Sequence, residues 1–193
     1  MVQIYVVRHG TTIANSQKVT QGQVDTPLTS AGIKDAQTLG ERLKGVVFDA
    51  IYSSDLGRAA VTEFIIAKLD DEEDKIHITP QLRELNYGDF NNTPKHAIIT
   101  ACPEYRHNPH FVFPNGESFE QMQDRLEEFI LDLDEKYPDG KVLLVTHSGC
   151  IRAINSRLMH HFAAAHMSYT ISHAYIGKYW ISEKKVISYI HSE

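Results

Sequence analysis

Two short apolar runs constrain the fold of this chain more than any other feature. Residues 2–7 and 142–145 are wholly or almost wholly apolar and rich in β-branched side chains, which is typical of parallel strands buried on both faces. Each run is followed at once by a polar motif that contains a histidine, His9 or His147. Because ligands bind beyond the carboxyl ends of such strands, we expect the two histidines to lie together at one edge of a sheet.

The rest of the chain alternates helical with extended patterns. Apolar periodicity predicts four helices, over 29–44, over 118–137, over 150–160, and one between the first two that starts from an N-cap at Ser54 or Asp55 and ends near Leu69. Further strands are expected at 50–53, 76–79, 174–181 and 186–190. This order predicts an α/β fold, a three-layer α/β/α sandwich around a mostly parallel sheet. The last strand suits a sheet edge, and an open edge is a hint of a homodimer.

Residues 91–117 fit this alternation poorly, since four prolines and three histidines fall there. We expect one domain over residues 1–193, in keeping with its length, and an irregular lid-like excursion at about 91–117 over the carboxyl edge of the sheet. Tyr105, Phe111 and Phe113 either line the entrance to a site there or only pack the excursion onto the sheet.

Charge and cysteine content exclude several classes of protein. The formal net charge is −6, which disfavours nucleic acid and anionic membranes as partners. Two cysteines cannot form a disulfide framework and suit a reducing compartment. No apolar stretch approaches the ~20 residues of a membrane span, and the first residues do not resemble a signal peptide. We therefore expect a soluble, cytoplasmic protein.

Arginines and histidines near the expected strand ends indicate a phosphate site. Arg58 falls in the first turn of a predicted helix, where free backbone N–H groups and a guanidinium favour an oxyanion. Arg8 lies beside His9, whereas Arg152, a full turn into its helix, is interpreted as a surface salt-bridge residue. The nucleotide-binding loops G-x-x-x-x-G-K-[ST] and G-x-G-x-x-G are missing from the sequence, as is the G-x-S-x-G elbow.

Six motifs resemble those of the histidine phosphatase superfamily, also called phosphoglycerate mutase-like. They occur in the order found in that family and cover nearly the whole chain. They are VRHGTTIAN at 7–15, TQGQVDTPLTSAG at 20–32, SSDLGRA at 53–59, LRELNYG at 82–88, GES at 116–118 and VTHSGCIR at 145–152.

The resemblance implies a two-step phosphoryl transfer without a metal or other cofactor. His9 would attack phosphorus and carry a phosphohistidine, and Glu84 would donate a proton and then activate water. The remaining implied site residues would surround the phosphoryl group, with positive charge from two guanidiniums and a second imidazole: Arg8, Asn15, Gln21, Gly22, Arg58, His147 and Ser148. Backbone N–H groups near Ser148 and Gly149 are expected to contribute, and a partly buried carboxyl such as Glu84 can keep its proton long enough to deliver it.

Three positions depart from the family pattern. Thr11 replaces a residue that is frequently acidic or an amide, and we expect little effect. Ser148 stands where the family often has Gly, which could alter a backbone contact with phosphate. Asn91 and Asn92 replace the usual Glu-Gly, which puts the chemistry of the substrate pocket in question.

The favoured function is hydrolysis of small phosphate monoesters, as in the phosphatase branch of the family. One alternative is a phosphoglycerate mutase-type phosphotransferase, although such mutases are generally longer. Another is a phosphate-binding regulator without turnover. The eleven histidines also suggest a zinc site as an alternative, with these candidate ligands: His107, His110, His160, His161 and His166. We expect no metal there, because no C-x-x-C or H-E-x-x-H motif accompanies them.

Overall fold

The computed structural model describes residues 1–158 and 170–192. Its α-helices are α1 (Ile13–Ser16), α2 (Ser30–Leu43), α3 (Gly57–Lys68), α4 (Lys95–Ala101), α5 (Phe119–Lys136) and α6 (Ser148–Leu158). Its strands are β1 (Val2–Arg8), β2 (Val19–Thr20), β3 (Ala50–Ser54), β4 (Ile76–Thr79), β5 (Thr93–Pro94), β6 (Lys141–Thr146), β7 (Ile176–Ser182) and β8 (Lys185–Ser192). Short 3₁₀ helices cover Glu73–Lys75, Pro80–Leu82, Gly88–Phe90 and Pro103–Arg106.

A six-stranded sheet in the order β4-β3-β6-β1-β7-β8 forms the centre of the molecule. Its first four strands pair in parallel, and β7 and β8 join them in antiparallel fashion. Strand β8 is an edge strand, as its alternating pattern indicates. A separate ribbon pairs β2 with β5. The predicted mostly parallel α/β fold is confirmed.

Apolar side chains on the two faces of the sheet form two separate cores. Val6 and Leu144 belong to the core on the side of α5 and α6, which pack together, and their neighbours Val7 and Val145 belong to the core on the side of α2 and α3. Successive side chains of a strand point to opposite faces, so strands that are apolar throughout contribute to both cores. The result is the predicted three-layer arrangement.

The start of α3 differs from the sequence prediction. Strand β3 continues through Ser54, and the N-cap is Leu56, which makes no side-chain capping bond. The carboxylate of Asp25, distant in sequence, accepts hydrogen bonds from the backbone N–H groups of Gly57 and Arg58 instead. The predicted cap at Ser54 or Asp55 was therefore wrong, because a long-range carboxylate supplies the acceptor that a local side chain was expected to supply. The other capping prediction, a box formed by Ser118 and Gln121, is confirmed at the start of α5.

The 91–117 segment is more regular than predicted. It contains β5, α4 and the 3₁₀ helix Pro103–Arg106. Pro94 is the N-cap of α4, and Pro103 opens the 3₁₀ helix. Proline is tolerated in the first turn of a helix because the N–H group it lacks has no intrahelical partner there. Two of the four prolines that suggested irregular chain, Pro94 and Pro103, thus mark the starts of short helices.

In the described ranges no helix is both long enough and apolar enough to cross a bilayer. The predicted end of α6 at residue 160 and the histidines His160, His161 and His166 lie outside the described residues.

Candidate active site

The two histidines that follow β1 and β6 lie against each other. Arg8 and Thr146 are register partners in the parallel pair, and the His9 backbone N–H donates to the Thr146 carbonyl at 2.9 Å. The imidazole centroids of His9 and His147 are 5.1 Å apart. His9 is 3% exposed and His147 is fully buried. The expectation that matched strand ends bring these rings together is therefore confirmed.

Hydrogen bonding and burial define the chemical state of His9. Its Nδ1 lies 2.7 Å from the Gly10 carbonyl oxygen. A carbonyl oxygen can only accept, so Nδ1 carries the hydrogen and Nε2 keeps its lone pair. Burial lowers the pKa of His9 well below its ordinary value, and the positive charges of Arg58 and Arg8 lower it further. At neutral pH His9 is an uncharged imidazole with a nucleophilic Nε2.

His147 is also uncharged in this site. Burial lowers its pKa well below the ordinary value, followed by the charge of Arg58 and the neighbouring His9. Neither ring nitrogen has a hydrogen-bond partner among the described residues. We expected a second imidazole that supplies positive charge to the phosphoryl oxygens, and the lowered pKa of His147 disfavours the charged form of the ring. Burial outweighs any tendency to protonate, so the ring offers one N–H donor and one acceptor.

Arg8 is held from the far end of the chain. Its Nη1 donates to the Ile171 carbonyl oxygen at 2.5 Å, while its buried Nε has no partner among the described residues. Burial lowers the pKa of Arg8 to about 10, so the guanidinium remains charged at neutral pH.

His173, which the sequence did not indicate as a site residue, contacts His9. Its Nδ1 is 2.6 Å from the His9 carbonyl oxygen, and the two ring centroids are 5.7 Å apart. Burial lowers the pKa of His173, and the charge of Arg8 adds to this effect. The sequence offered no signal for it, because one histidine among eleven, 164 residues from His9, carries no local pattern.

Arg58 is fixed by the loop that follows β2. Its guanidinium donates to the carbonyl oxygens of Gly22 at 2.7 Å and Val24 at 3.1 Å, and to the Asp25 carboxylate at 2.9 Å. The side chain is 1% exposed. Asp25 thus holds both the start of α3 and the guanidinium that α3 carries into the site.

Glycine is required at position 22. Its φ is +57°, and a Cβ there would come within 1.9 Å of Asn91 Oδ1. The same Oδ1 accepts from the backbone N–H groups of Gln23 and Tyr87. The family departure at Asn91 is therefore structural, because its carboxamide ties the loop near Gly22 to the segment that follows Glu84. Asn92 has a φ of +57°, a conformation that Asn tolerates better than most residues other than Gly.

Asn15 and Gln21 each use one polar atom for structure. Asn15 Oδ1 accepts from the Thr12 N–H at 3.1 Å, as part of a capping box that opens α1. Gln21 Oε1 accepts from the Thr26 hydroxyl at 2.7 Å. In both carboxamides the oxygen is occupied, which leaves the NH2 group as the donor available to a ligand.

Two backbone N–H groups bind the carboxylate of Glu84. The donors are Leu85 N–H at 2.9 Å and Gly149 N–H at 3.0 Å. A Cβ at position 149 would come within 2.0 Å of Glu84 Oε1, so only glycine allows this approach. Among the backbone N–H groups near Ser148 and Gly149 that we expected to contribute at phosphate, the Gly149 N–H is directed to Glu84 instead.

These residues line one cavity of about 290 Å³. Among the predicted site residues it is lined by Arg8, His9, Asn15, Gln21, Gly22, Arg58, Glu84 and Ser148. His147 is not among the lining residues, and its ring lies against the His9 ring.

Three further cations, which the sequence prediction did not include, line the same cavity: Lys95, Arg106 and Arg152. The interpretation of Arg152 as a surface salt-bridge residue was wrong. It makes no ion pair with any described residue, and its Nη1 donates to Ser148 Oγ at 2.8 Å. The signal that could have identified it is its spacing of four residues from Ser148, which places both on one side of α6.

The aromatic side chains of the 91–117 segment divide between two roles. Tyr105 lines the cavity. Phe113 is buried, with its ring centroid 5.0 Å from that of Tyr87 and 5.1 Å from that of Phe111. Phe111 and Phe113 thus pack with other aromatic rings and do not line this cavity, whereas Tyr105 both packs against Phe113 and lines it.

The arrangement as a whole favours an anion that can be attacked by an imidazole. Fixed guanidiniums and amide donors surround an uncharged His9, and Glu84 is the only carboxylate among the described residues that line the cavity. Such preorganised donors stabilise charge on phosphoryl oxygens, where positioning and electrostatics supply most of the catalysis. Across the described ranges, no three His, Cys, Asp or Glu side chains are grouped so as to hold a metal ion.

Comparison with known proteins agrees with this geometry. The family model of the histidine phosphatase superfamily (branch 1) matches residues 4–186. The adenosylcobalamin/alpha-ribazole phosphatase of Escherichia coli is 31% identical over 166 residues, which are 82% of this chain and 79% of that protein. A probable phosphoglycerate mutase, GpmB, of Yersinia pestis is 34% identical over 82% of this chain and 75% of its own. The structure of YhfR from Bacillus stearothermophilus superposes with a TM-score of 0.87 at 27% identity, covering 96% and 94% of the two chains.

Proposed function

This chain belongs to branch 1 of the histidine phosphatase superfamily, and on that premise we propose that it hydrolyses small phosphate monoesters through a phosphohistidine on His9. One observation carries the proposal. The Nδ1–H of His9 is committed to the Gly10 carbonyl, and the ring is buried and uncharged in a cavity that Arg8 and Arg58 also line. A neutral imidazole with a free Nε2, next to fixed cations, suits attack on phosphorus.

In the first step, His9 Nε2 forms a bond to phosphorus as the ester P–O bond breaks. The leaving oxygen takes a proton from the carboxyl of Glu84, because an alkoxide leaves poorly without one. Arg8 and Arg58 balance the negative charge on the transferring oxygens. The NH2 groups of Asn15 and Gln21 and the imidazole of His147 donate hydrogen bonds to the same oxygens, and Gly22 and Ser148 border the phosphate.

In the second step, water attacks the phosphohistidine and the P–N bond breaks. Glu84, now a carboxylate, takes a proton from this water. The alcohol product has left after the first step, and inorganic phosphate is released after the second. The N–H groups of Leu85 and Gly149 orient the carboxylate for this role. Arg125 supports the same segment, since its Nη2 donates to the backbone carbonyl oxygens of Arg83 and Glu84 at 2.7 and 3.3 Å.

The test of the nucleophile uses p-nitrophenyl phosphate, with no added metal and with EDTA present. We expect turnover in the wild-type protein, loss of turnover in His9→Ala, and retention in His110→Ala, whose ring is exposed and pairs with Glu120. Rapid quenching with ³²P-labelled substrate should trap acid-labile label on the wild-type protein and on His110→Ala, but not on His9→Ala. Full activity of His9→Ala would exclude the covalent mechanism.

The test of the acid compares leaving groups. Glu84→Gln should lose more activity on an alkyl phosphate than on p-nitrophenyl phosphate, because nitrophenolate needs little protonation to leave. Equal losses on both substrates would contradict the acid role of Glu84. A fall in protein stability alone would lower both activities by the same factor.

Mutase activity is the second candidate, and the likeness to GpmB supports it. In a mutase the phosphohistidine returns its phosphoryl group to a second acceptor hydroxyl and not to water. Phosphorus NMR of the protein with 3-phosphoglycerate, with and without bisphosphoglycerate, distinguishes the two. Release of inorganic phosphate supports the phosphatase, and interconversion of phosphoglycerate isomers supports the mutase. Binding without either reaction would support a phosphate-binding regulator.

A further inference from the structure

The turn that carries His9 is held at every polar group of the two peptide units that meet at Gly10. The first unit joins His9 to Gly10, and the second joins Gly10 to Thr11. A glycine restricts its own torsion angles little, so the orientation of the two units depends on their hydrogen-bond partners. This orientation matters for the chemistry, because the carbonyl oxygen of the second unit is the one that accepts from His9 Nδ1 at 2.7 Å.

Side chains from distant parts of the chain hold the first peptide unit. His173 Nδ1 donates to its carbonyl oxygen at 2.6 Å. Its N–H group, that of Gly10, donates to Thr62 Oγ1 at 3.1 Å. Thr62 is fully buried, and a buried N–H group that loses its acceptor is costly. The plane of this unit is therefore fixed from both ends.

Thr62 uses both functions of its hydroxyl. The Gly10 N–H can only donate, so Thr62 Oγ1 is the acceptor of that bond. The hydrogen of the hydroxyl goes to the Arg58 carbonyl oxygen at 2.8 Å. One hydroxyl thus joins the turn that carries His9 to the turn of α3 that carries Arg58.

Asp35 in α2 holds the second peptide unit. Its Oδ2 accepts from the Thr11 N–H at 3.0 Å and from the Thr11 hydroxyl at 2.7 Å. The Thr11 N–H and the Gly10 carbonyl belong to the same planar unit, so a restraint on one orients the other. Asp35 therefore acts on the carbonyl oxygen that accepts from His9. Thr11, which departs from the family pattern, gives Asp35 its second bond to this turn.

We propose that Thr62 and Asp35 are positioning residues for His9, which hold the Gly10 carbonyl where it keeps the imidazole in the Nδ1–H tautomer. The tautomer decides whether the ring can attack, because an uncharged ring has a lone pair on Nε2 only when its hydrogen is on Nδ1. This inference rests on the proposed function in one respect, since it takes Nε2 of His9 as the nucleophile. Neither Thr62 nor Asp35 lines the cavity, so both act through Gly10 and not on the substrate.

The tautomer of His9 can be measured without turnover. NMR of the protein with ¹⁵N-labelled histidine at neutral pH gives the ratio of the Nδ1–H form to the Nε2–H form from the shifts of the two ring nitrogens. The His9 signals are those that His9→Ala lacks. We expect the Nδ1–H form to dominate in the wild type. The ratio should fall by about fivefold in Thr62→Val and in Asp35→Ala, as the loss of one net hydrogen bond allows.

Conservative variants separate positioning from general damage to the turn. Thr62→Ser keeps the hydroxyl, and Asp35→Asn keeps an oxygen that can accept from Thr11. Both should stay within about twofold of the wild-type ratio. If either conservative variant lowers the ratio as far as its non-conservative counterpart, the hydrogen bond is not the cause and the inference is overturned.

Two control variants remove comparable bonds elsewhere in the protein. Ser156, which is also buried, accepts from Gln123 Nε2 at 2.8 Å and donates to the Ala153 carbonyl oxygen at 3.1 Å. The carboxylate of Asp49 accepts from the Lys141 N–H at 2.8 Å, at the start of β6. Ser156→Ala and Asp49→Ala should keep the wild-type ratio, and urea unfolding measures the stability that each variant loses.

The outcomes separate this inference from the proposed function. An unchanged ratio in Thr62→Val or in Asp35→Ala overturns the role of that residue, even if phosphate esters are hydrolysed. A ratio that falls in both of these variants supports the inference even if no ester is turned over, in which case only the proposed hydrolysis fails. A fall of the same size in the two controls would mean that lost stability is responsible, and would overturn the inference. A wild-type His9 mainly in the Nε2–H form would overturn both proposals.

Discussion

Glu63 in α3 is a carboxyl group that the proposed chemistry does not use, and it gives the protein a distinct dependence of stability on pH. The side chain is 0% exposed, and neither oxygen has a hydrogen-bond partner among the described residues. Burial raises its pKa from 4.5 to about 8. A buried carboxylate without partners is costly, so the folded protein keeps Glu63 protonated at neutral pH.

The size and direction of the effect follow from the two pKa values. The folded state binds the Glu63 proton more strongly than the unfolded state, so this group favours folding most below pH 4.5. The contribution falls as the pH rises from 4.5 and becomes constant above about 8. At 1.36 kcal/mol per pH unit, the loss is about 3 kcal/mol by pH 7 and about 5 kcal/mol in full. Glu63→Gln removes the titration and preserves the shape of the side chain.

Urea unfolding of wild type and Glu63→Gln, followed by circular dichroism from pH 5 to pH 9, measures this difference. We expect the two proteins to be about equally stable near pH 5 and the variant to gain about 3 kcal/mol over wild type near pH 7. Glu41→Gln, at an exposed position of α2, is the control and should show no such trend. A free-energy difference between wild type and Glu63→Gln that is independent of pH would refute the reasoning, whatever its absolute size.

Three further predictions concern the site itself. His173→Ala should lower kcat by about tenfold with a small change in KM, because the bond to the His9 carbonyl orients the proposed nucleophile. His173→Asn should restore part of the loss in steady-state kinetics. Gly149→Ala should reduce kcat on alkyl phosphates more than on p-nitrophenyl phosphate, since a Cβ within 2.0 Å of Glu84 Oε1 displaces the carboxyl group; equal effects on both would contradict this. NMR signals of the His9 and His147 rings should titrate at a lower pH than those of a free imidazole, and a midpoint near 6.5 for either ring would contradict the lowered pKa values.

The sequence predicted those parts of the molecule that depend on short-range pattern. Apolar runs located β1 and β6, and the geometry of parallel strands then placed His9 beside His147 without further information. The capping box at Ser118 was predictable because both partners lie within one turn. By contrast, the cap of α3 comes from Asp25, more than thirty residues away, and no local pattern indicates such a partner.

The protonation states of the two histidines were harder to predict from the sequence than their presence in the site. Positive neighbours were expected to keep His9 unprotonated, and they do contribute, but burial is the larger cause. The same burial acts on His147, which is why that ring is neutral and not a source of charge. The degree to which a side chain is removed from water depends on how separate elements pack over it, and a sequence pattern does not report that packing.

The positions of two arginines around the axis of α6 explain why the prediction for Arg152 was wrong. Arg152 and Arg157 are five residues apart, so they are separated by roughly 140° around the helix axis. Arg157 accordingly faces the carboxylates of α5, whereas Arg152 lies one turn above Ser148 on the side of the cavity. The spacing from Ser148 was available in the sequence, and a helix that begins at the carboxyl end of a strand must direct some of its first two turns toward any ligand bound there. A cation at the fourth position after such a start is therefore a reason to expect a side chain at the cavity, and here Arg152 lines it.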